Sequence, residues 1–260
     1  MELWERTTWL NKDIDYLFGN RITEYDMKSA GLSLSKKFKL LPESTIRDLE
    51  SVSKQDRNIR MGLIQRKDKE YTKKLLDAFK QMRKEFFEAN DLNEYNLLSI
   101  KKDAFFVIDK KCHNTDFGEV KFDSKNKYTS YMYLNKLEFY FNTATKQVDI
   151  KGLGQGKTLD EIREAHKDFM LDFMLRYVRM KEIGVSGNPM DIFLRKFVEE
   201  YRNKQLPVGY YRELSKFNAY LVYDEVLGEY QYIKDVGTLD DVVIDRNYYE
   251  YIVKLVSLCI

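Results

Sequence analysis

Asn96-Leu-Leu-Ser-Ile-Lys-Lys-Asp103-Ala-Phe-Phe-Val-Ile108 sets two runs of strand-forming residues around a tight polar turn, Lys101-Lys102-Asp103. Branched and aromatic residues interrupted by turn formers predict a β-hairpin, here with a carboxylate at its tip. An acid at the end of a hairpin is placed to bind a metal or a phosphate-bearing ligand. Lys and Asp are equally ordinary residues of a surface turn. The choice between the two rests on whether a partner carboxylate exists elsewhere in the chain.

The 260 residues suffice for one large domain or two small ones with a buried core. The 44 Lys+Arg nearly cancel the 42 Asp+Glu, leaving a net charge of +2, so any site for a polyanion must be a local patch. Cys112 and Cys259 are far apart and unaccompanied, which suits a reducing compartment and excludes a disulfide scaffold. Met1-Glu-Leu-Trp-Glu-Arg6 lacks the apolar stretch of a leader, and no run has the length of a membrane span. A cytoplasmic protein with no membrane partner is expected. His113 and His166 have no paired His or Cys at zinc-ligand spacing. Gly152-Leu-Gly-Gln-Gly156-Lys-Thr158 is one residue short of phosphate-loop spacing and reads as a flexible turn.

Outward from the hairpin, residues 4–19 place Trp4, Trp9, Leu10, Ile14, Leu17 and Phe18 at helical spacing, with Gly19 as a helix end. Arg21–Tyr25 reads as a strand leading to Asp26, and Ser29–Phe38 as a short helix that Pro42 stops. The polar segment 43–62 reads as a short helix plus a loop. The clearest helix covers about 66–90, with Leu75, Leu76, Phe79, Met82 and Phe86 as its apolar stripe. Beyond the hairpin, strands are expected at Glu119–Phe122, Tyr128–Leu134, Leu137–Asn142 and Gln147–Ile150. Thr158-Leu-Asp-Glu161 is a capping box for a long helix to about Glu182, and a further helix follows Pro189. Strands are expected around Ala219–Tyr223 and Tyr230–Ile233, and another element at Asn247–Cys259.

Asp26 closes a strand just before Ser29, Ala30 and Gly31 open a helix. A carboxylate beside unpaired helix N–H groups is a common seat for a metal–triphosphate complex. Phosphoryl and nucleotidyl transfer use two carboxylates on adjacent strands to hold two divalent ions about 3.5–4 Å apart. Asp26 and Asp103, separated by a long helix, can meet in this way. Lys54, Arg57 and Arg60 form a basic set beside them, followed by Arg66, Lys67, Lys69, Lys73 and Lys74; beyond Lys67 interleaved acids favour a solvated face.

Four motifs then resemble those of family B DNA polymerases. Tyr25-Asp26-Met-Lys-Ser29-Ala-Gly-Leu-Ser33 is similar to their motif A, and Ser99-Ile-Lys-Lys-Asp103-Ala-Phe-Phe-Val107 to their motif C. Lys54-Gln-Asp-Arg-Asn58-Ile-Arg-Met-Gly62 resembles the fingers motif at Lys54, Asn58 and Gly62. Lys125-Asn-Lys127-Tyr128 resembles the Lys-Lys-x-Tyr motif that contacts primer–template. The four occur in the family's order over residues 20–130.

The resemblance implies an α+β fold: a polymerase-like palm sheet in residues 1–151, helical fingers inserted at about 43–95, and a mainly helical thumb-like region in 152–260. It implies Asp26 and Asp103 as catalytic ligands of Mg2+ or Mn2+. Ser29, Ala30, Gly31, Lys54, Arg57 and Asn58 would bind the nucleotide, and Lys102, Lys125, Lys127 and Tyr128 the nucleic acid. Tyr131 and Tyr133 share the strand of Tyr128 and could stack on bases or pack in a sheet. The implied partners are nucleoside triphosphates, a DNA or RNA primer–template and a protein of a replication or transcription complex. The sequence departs from the family where Lys101 replaces the first motif C acid, Gly31 the motif A Tyr and Met61 the motif B Tyr. Loss of the motif A Tyr implies weak discrimination between ribo- and deoxynucleotides. No exonuclease domain precedes the motifs, so a minimal or primer-synthesising enzyme of a phage or mobile element is expected, working in the host cytoplasm. The alternative is a catalytically degenerate palm that binds nucleic acid or a host replication or transcription protein.

Overall fold

Alternation of apolar and polar side chains along antiparallel strands, and one long amphipathic helix laid across them, organise the segment that carries the motifs. The computed structural model describes residues 2–134, 136–151, 175, 178–180, 182–184, 188–211 and 219–244. The fold is α+β, and the chain divides into two compact units: Met1–Ile14 with Asn20–Tyr128, and Asp15–Gly19 with Thr129–Ile260.

The first unit contains strands β1 (Thr8–Leu10), β2 (Tyr16–Met27), β3 (Leu97–Lys101), β4 (Ala104–Ile108), β5 (Asp116–Phe117) and β6 (Val120–Leu134), although β2 and β6 also supply residues to the second unit. Its helices are α1 (Ala30–Lys37), α2 (Glu43–Glu50), α3 (Lys54–Lys67) and α4 (Lys69–Ala89). The strand order is β1-β3-β4-β2-β6, and β1–β3, β3–β4 and β4–β2 are all antiparallel. The expected hairpin is β3–β4, with Lys101 opposite Ala104 and only Lys102 and Asp103 in the turn. Ile22 pairs with Ile108 and Asp26 with Ala104, so the carboxylate end of β2 lies beside the hairpin tip.

Side chains alternate across this sheet. Tyr25, Met27, Phe105 and Val107 face the core with Phe79, Met82, Phe86 and Phe87 of α4. Phe86 is fully buried, 4.1 Å from the Phe122 ring and 5.2 Å from the Phe105 ring, centroid to centroid. By the same alternation, Glu24, Asp26, Ala104 and Phe106 take the opposite face. Leu76, expected in the stripe, is instead exposed, because helical spacing puts Leu75, Phe79 and Met82 inward and turns their neighbour to solvent.

The N-terminal helix expected over 4–19 is not formed. A 3-10 turn at Leu3–Glu5 precedes β1, where Trp9 pairs with Ile100 and Leu10 with Ser99. Thr7, Thr8 and Trp9 favour extended backbone, and pairing with the hairpin overrides a loose helical spacing. Gly19, read as a helix end, lies inside β2 with φ +76. The segment 43–62 forms two helices, separated where Ser53 caps α3 by accepting from Asp56 N–H at 3.2 Å. The strands expected at 119–122 and 128–134 are one, β6.

In the second unit, β7 (Leu137–Asn142) pairs with the end of β6 and with β8 (Gln147–Lys151), both antiparallel. Farther on are α5 (Asn188–Arg202) and a hairpin of β9 (Tyr220–Asp224) and β10 (Glu229–Ile233). The region from 152 onward therefore includes strands as well as helix among the described residues. The Gly152–Gly156 loop, the Thr158–Glu161 capping box with its helix, and Asn247–Cys259 lie outside the described residues. Tyr131 is fully buried against Tyr140, with ring centroids 5.1 Å apart, so it packs in the sheet and offers no face to a base. No described helix is long and apolar enough to cross a membrane.

Candidate functional site

Three local structures of the first unit meet at the end of β2. The first is the hairpin tip. Asp103 N–H donates to Lys101 C=O at 2.7 Å across Lys102, whose φ is +56. A three-residue turn with a positive central φ is uncommon and strained for a residue with a side chain. Arg83, buried on α4, braces it: its Nε donates to Trp4 C=O at 2.9 Å and its Nη1 to Lys102 C=O at 3.3 Å. Met27 N–H donates to Asp103 C=O at 3.0 Å, locking the turn to β2.

The second is the start of α1. Ser29, at φ 48, turns the chain out of β2 and into the helix. The first N–H groups of a helix have no intrahelical acceptor, and they carry its positive dipole end. The third is α3. From its Ser53 cap, Lys54, Asn58, Met61 and Gln65 recur at spacings of four, three and four and so share one face. Arg57 lies beside them, its Nη2 donating to Ser29 Oγ at 3.4 Å.

These segments line one cleft of about 370 Å³. Of the residues expected at the site, Asp26, Ser29, Ala30, Gly31, Lys54, Arg57, Asn58, Lys102 and Asp103 all border it. Met61 and Phe79 also line it, and a Cβ at Gly31 would stand 3.0 Å from Met61 Cε. Tyr71 Oη lies 3.9 Å from Met61 Sδ and 2.9 Å from Ser35 Oγ, a buried chain behind the wall. The space beside Gly31 is therefore filled by Met61. Lys102 places its ammonium 5.2 Å from the Phe79 ring centroid, a cation–π distance.

Lys101 borders a separate cleft of about 670 Å³, with Arg6, Lys12 and Asp13 among its neighbours. Lys125 lies outside the cleft lining but pairs with Asp26, Nζ to Oδ2 at 3.4 Å. Lys127 is exposed. Tyr128 departs from its expected role: 1% exposed, it stacks on Phe106 with its hydroxyl 3.4 Å from Glu24. It anchors the strand and presents no surface to nucleic acid.

Burial, and after it the like charge of Asp26, holds the Asp103 carboxyl above its ordinary range, against the opposing pull of its own backbone N–H, Lys102 and Lys125. For Lys125 the largest influence is burial, which lowers its pKa. The combined attraction of Asp26, Glu24 and Asp103 outweighs it and holds the ammonium above its usual value. Two mutually repelling carboxylates bordering one cleft are suitable oxygen donors for a hard cation such as Mg2+, which takes one or two carboxylates and fills the rest with water and substrate. Among the described residues no group of three or more His, Cys, Asp or Glu is arranged to hold one ion. Cys112 is no alternative nucleophile, since burial pushes its thiol up to about 11.

Glu24 and Arg83 border the site's supports without belonging to a motif. Period-two spacing from Asp26 puts Glu24 on the same strand face, and an i+4 step from Phe79 puts Arg83 on the buried side of α4. A charge at either position needs a partner, and both have one.

The family described as Bacteriophage PBS1 gene 130 protein matches the chain over residues 1–260. No curated protein matches it.

Proposed function

The chain belongs to the Bacteriophage PBS1 gene 130 protein family, and from that premise and the geometry of the cleft we propose that this phage protein is a metal-dependent nucleotidyltransferase. It would add nucleotides to a nucleic-acid 3′ end in the host cytoplasm, as a minimal polymerase or primer-synthesising enzyme on a palm-like sheet. One observation carries the reading: Asp26, Asp103, the start of α1 and the Lys54–Arg57–Asn58 face of α3 border one cleft. Chance motif matches would have no reason to converge there.

In this reading Asp26 and Asp103 hold Mg2+ or Mn2+, which when bound activates the attacking hydroxyl and neutralises the leaving phosphate. Lys54 and Arg57 bind the triphosphate, helped by the N–H groups that open α1. Asn58 orients the nucleotide. Lys102, Lys125 and Lys127 meet the phosphates of the growing strand, while Tyr128 fixes the strand that carries the last two. The sheet behind the carboxylates is packed by α4, so the acids sit on a rigid support.

Nucleotide incorporation by the purified full chain, with and without template and with both ribo- and deoxynucleotides, tests the proposal. Asp26→Ala and Asp103→Ala are each expected to lower the rate by at least about a thousandfold, since neither acid replaces the other. Undiminished synthesis in either variant would refute the assignment. Use of both sugar types is expected from the loss of the motif A Tyr at Gly31, and strict deoxynucleotide use would overturn that expectation.

A second reading is a degenerate palm that binds nucleic acid or a host protein. Lys101 at an acidic motif position and the Lys125–Asp26 ion pair favour it. Nucleoside triphosphates that stabilise the chain only with a divalent metal would exclude it.

A further inference from the structure

The segment of β6 beside Asp26 is held by a carboxylate that the proposed chemistry does not use. Glu24, 3% exposed, accepts from Asn126 Nδ2 at 2.5 Å and lies 3.4 Å from Tyr128 Oη. Tyr128 is also stacked on Phe106. Two of the four residues from 125 to 128 are thus anchored inward, which fixes the backbone from which Lys125 projects.

Lys125 itself is loosely held. Its Nζ is 3.4 Å from Asp26 Oδ2, longer than the roughly 2.7–2.9 Å of a tight charge-assisted bond. Its side chain is 56% exposed, against 31% for Asp26. The pair therefore joins a less exposed acid to a more exposed ammonium on a flexible stem. A nearby cation relieves the repulsion of a like-charged pair of carboxylates, and Lys125 is in ion-pair range of Asp26.

We propose that Lys125 is a built-in counter-ion of the Asp26–Asp103 pair, displaced when a divalent cation loads the site. This rests on the carboxylate-pair reading above and adds an order of events. The divalent ion takes over the neutralising role, and the released ammonium, tethered at the rim, turns to the phosphates of the incoming nucleotide or strand. Metal binding thereby readies a phosphate contact. Glu24 is the positioning residue, because it holds the tether in place.

Manganese binding to the full chain, read from the electron paramagnetic resonance of the free ion, separates the possibilities without any turnover. Lys125→Gln and Lys125→Met are both expected to bind Mn2+ roughly two- to fivefold more tightly than wild type, the change that loss of an exposed competing ion pair produces. Lys125→Arg should stay within about twofold of wild type, because it keeps the charge. Unchanged or weaker binding in both neutral variants, with unaltered circular dichroism, overturns the counter-ion role. Asp26→Asn serves as the reference. If it abolishes binding while the neutral Lys125 variants do nothing, only the counter-ion idea fails; if it binds like wild type, the metal site fails and the counter-ion with it.

Discussion

Asp103 occupies a position that the fold resists. Its turn places Lys102 at φ +56, and burial and the Asp26 charge both raise its pKa. A carboxyl with a folded pKa above its unfolded value of about 3.9 favours the protonated form in the native state. Its contribution to stability is fully present below the unfolded value and is lost as pH rises through the folded one. Asp103→Asn, a mimic of the protonated acid, should therefore raise Tm at pH 7 by about 2 °C, on the scale that roughly 1 kcal/mol gives in a chain of this length. The gain should vanish near pH 3. Thermal melts at the two pH values check this, and a lower Tm at pH 7 would show that the ionised carboxylate stabilises the turn. A residue that costs stability where it stands is characteristic of a site kept for function. Asp26, Asp103, Lys54 and Asn58 were legible in the sequence because each sits in a short motif with its own spacing. Glu24 and Arg83 were not, since their partners Asn126, Tyr128, Trp4 and Lys102 come from distant segments that only the pairing register brings near.

Among the elements, α4 bears the main burden of the first core. Phe86 touches the Tyr25, Phe105, Phe117 and Phe122 rings, with centroids between 4.1 and 6.2 Å away. Phe86→Ala removes a fully buried ring from this cluster and is expected to cost about 3–5 kcal/mol. Denaturant melts would measure it; a loss below about 1 kcal/mol would mean the cluster collapses around the gap. The helix was legible because its apolar residues keep helical spacing over many turns. The N-terminal stretch was misread for a complementary reason. Trp4, Trp9 and Leu10 are apolar at helix-like intervals, yet Trp9 and Leu10 are spent on pairing with Ile100 and Ser99 at the sheet edge. α3 stayed hidden because Met61 is its one buried residue, so no apolar stripe announces it. Its polar face is what lines the cleft, and a helix with no apolar stripe lacks the signal by which helices are found.

At the scale of the molecule, a net charge of +2 provides no long-range pull on a polyanion. Nucleic-acid affinity in the proposed role must come from the few cations near the cleft. With about three phosphates met by Lys102, Lys125 and Lys127, the logarithm of the single-strand binding constant should fall with that of salt at a slope of about −2. Fluorescence anisotropy across a salt series measures it, and a slope steeper than about −6 would require an extended basic surface elsewhere.

The two compact units are not successive stretches of chain, because β2 and β6 each contribute residues to both. During synthesis Asp15–Gly19 emerges before nearly all of the first unit, then waits for Thr129 onward to complete the second. Asp26 likewise leaves the ribosome ahead of Asp103 and Lys125, so the nascent chain holds one acid of the pair alone until the hairpin tip has been made. No single proteolytic cut or gene truncation can release either unit whole and free of the other. The lining of the cleft is consequently complete once Asp103 has been made, while Thr129 onward, most of the second unit, is still to be added.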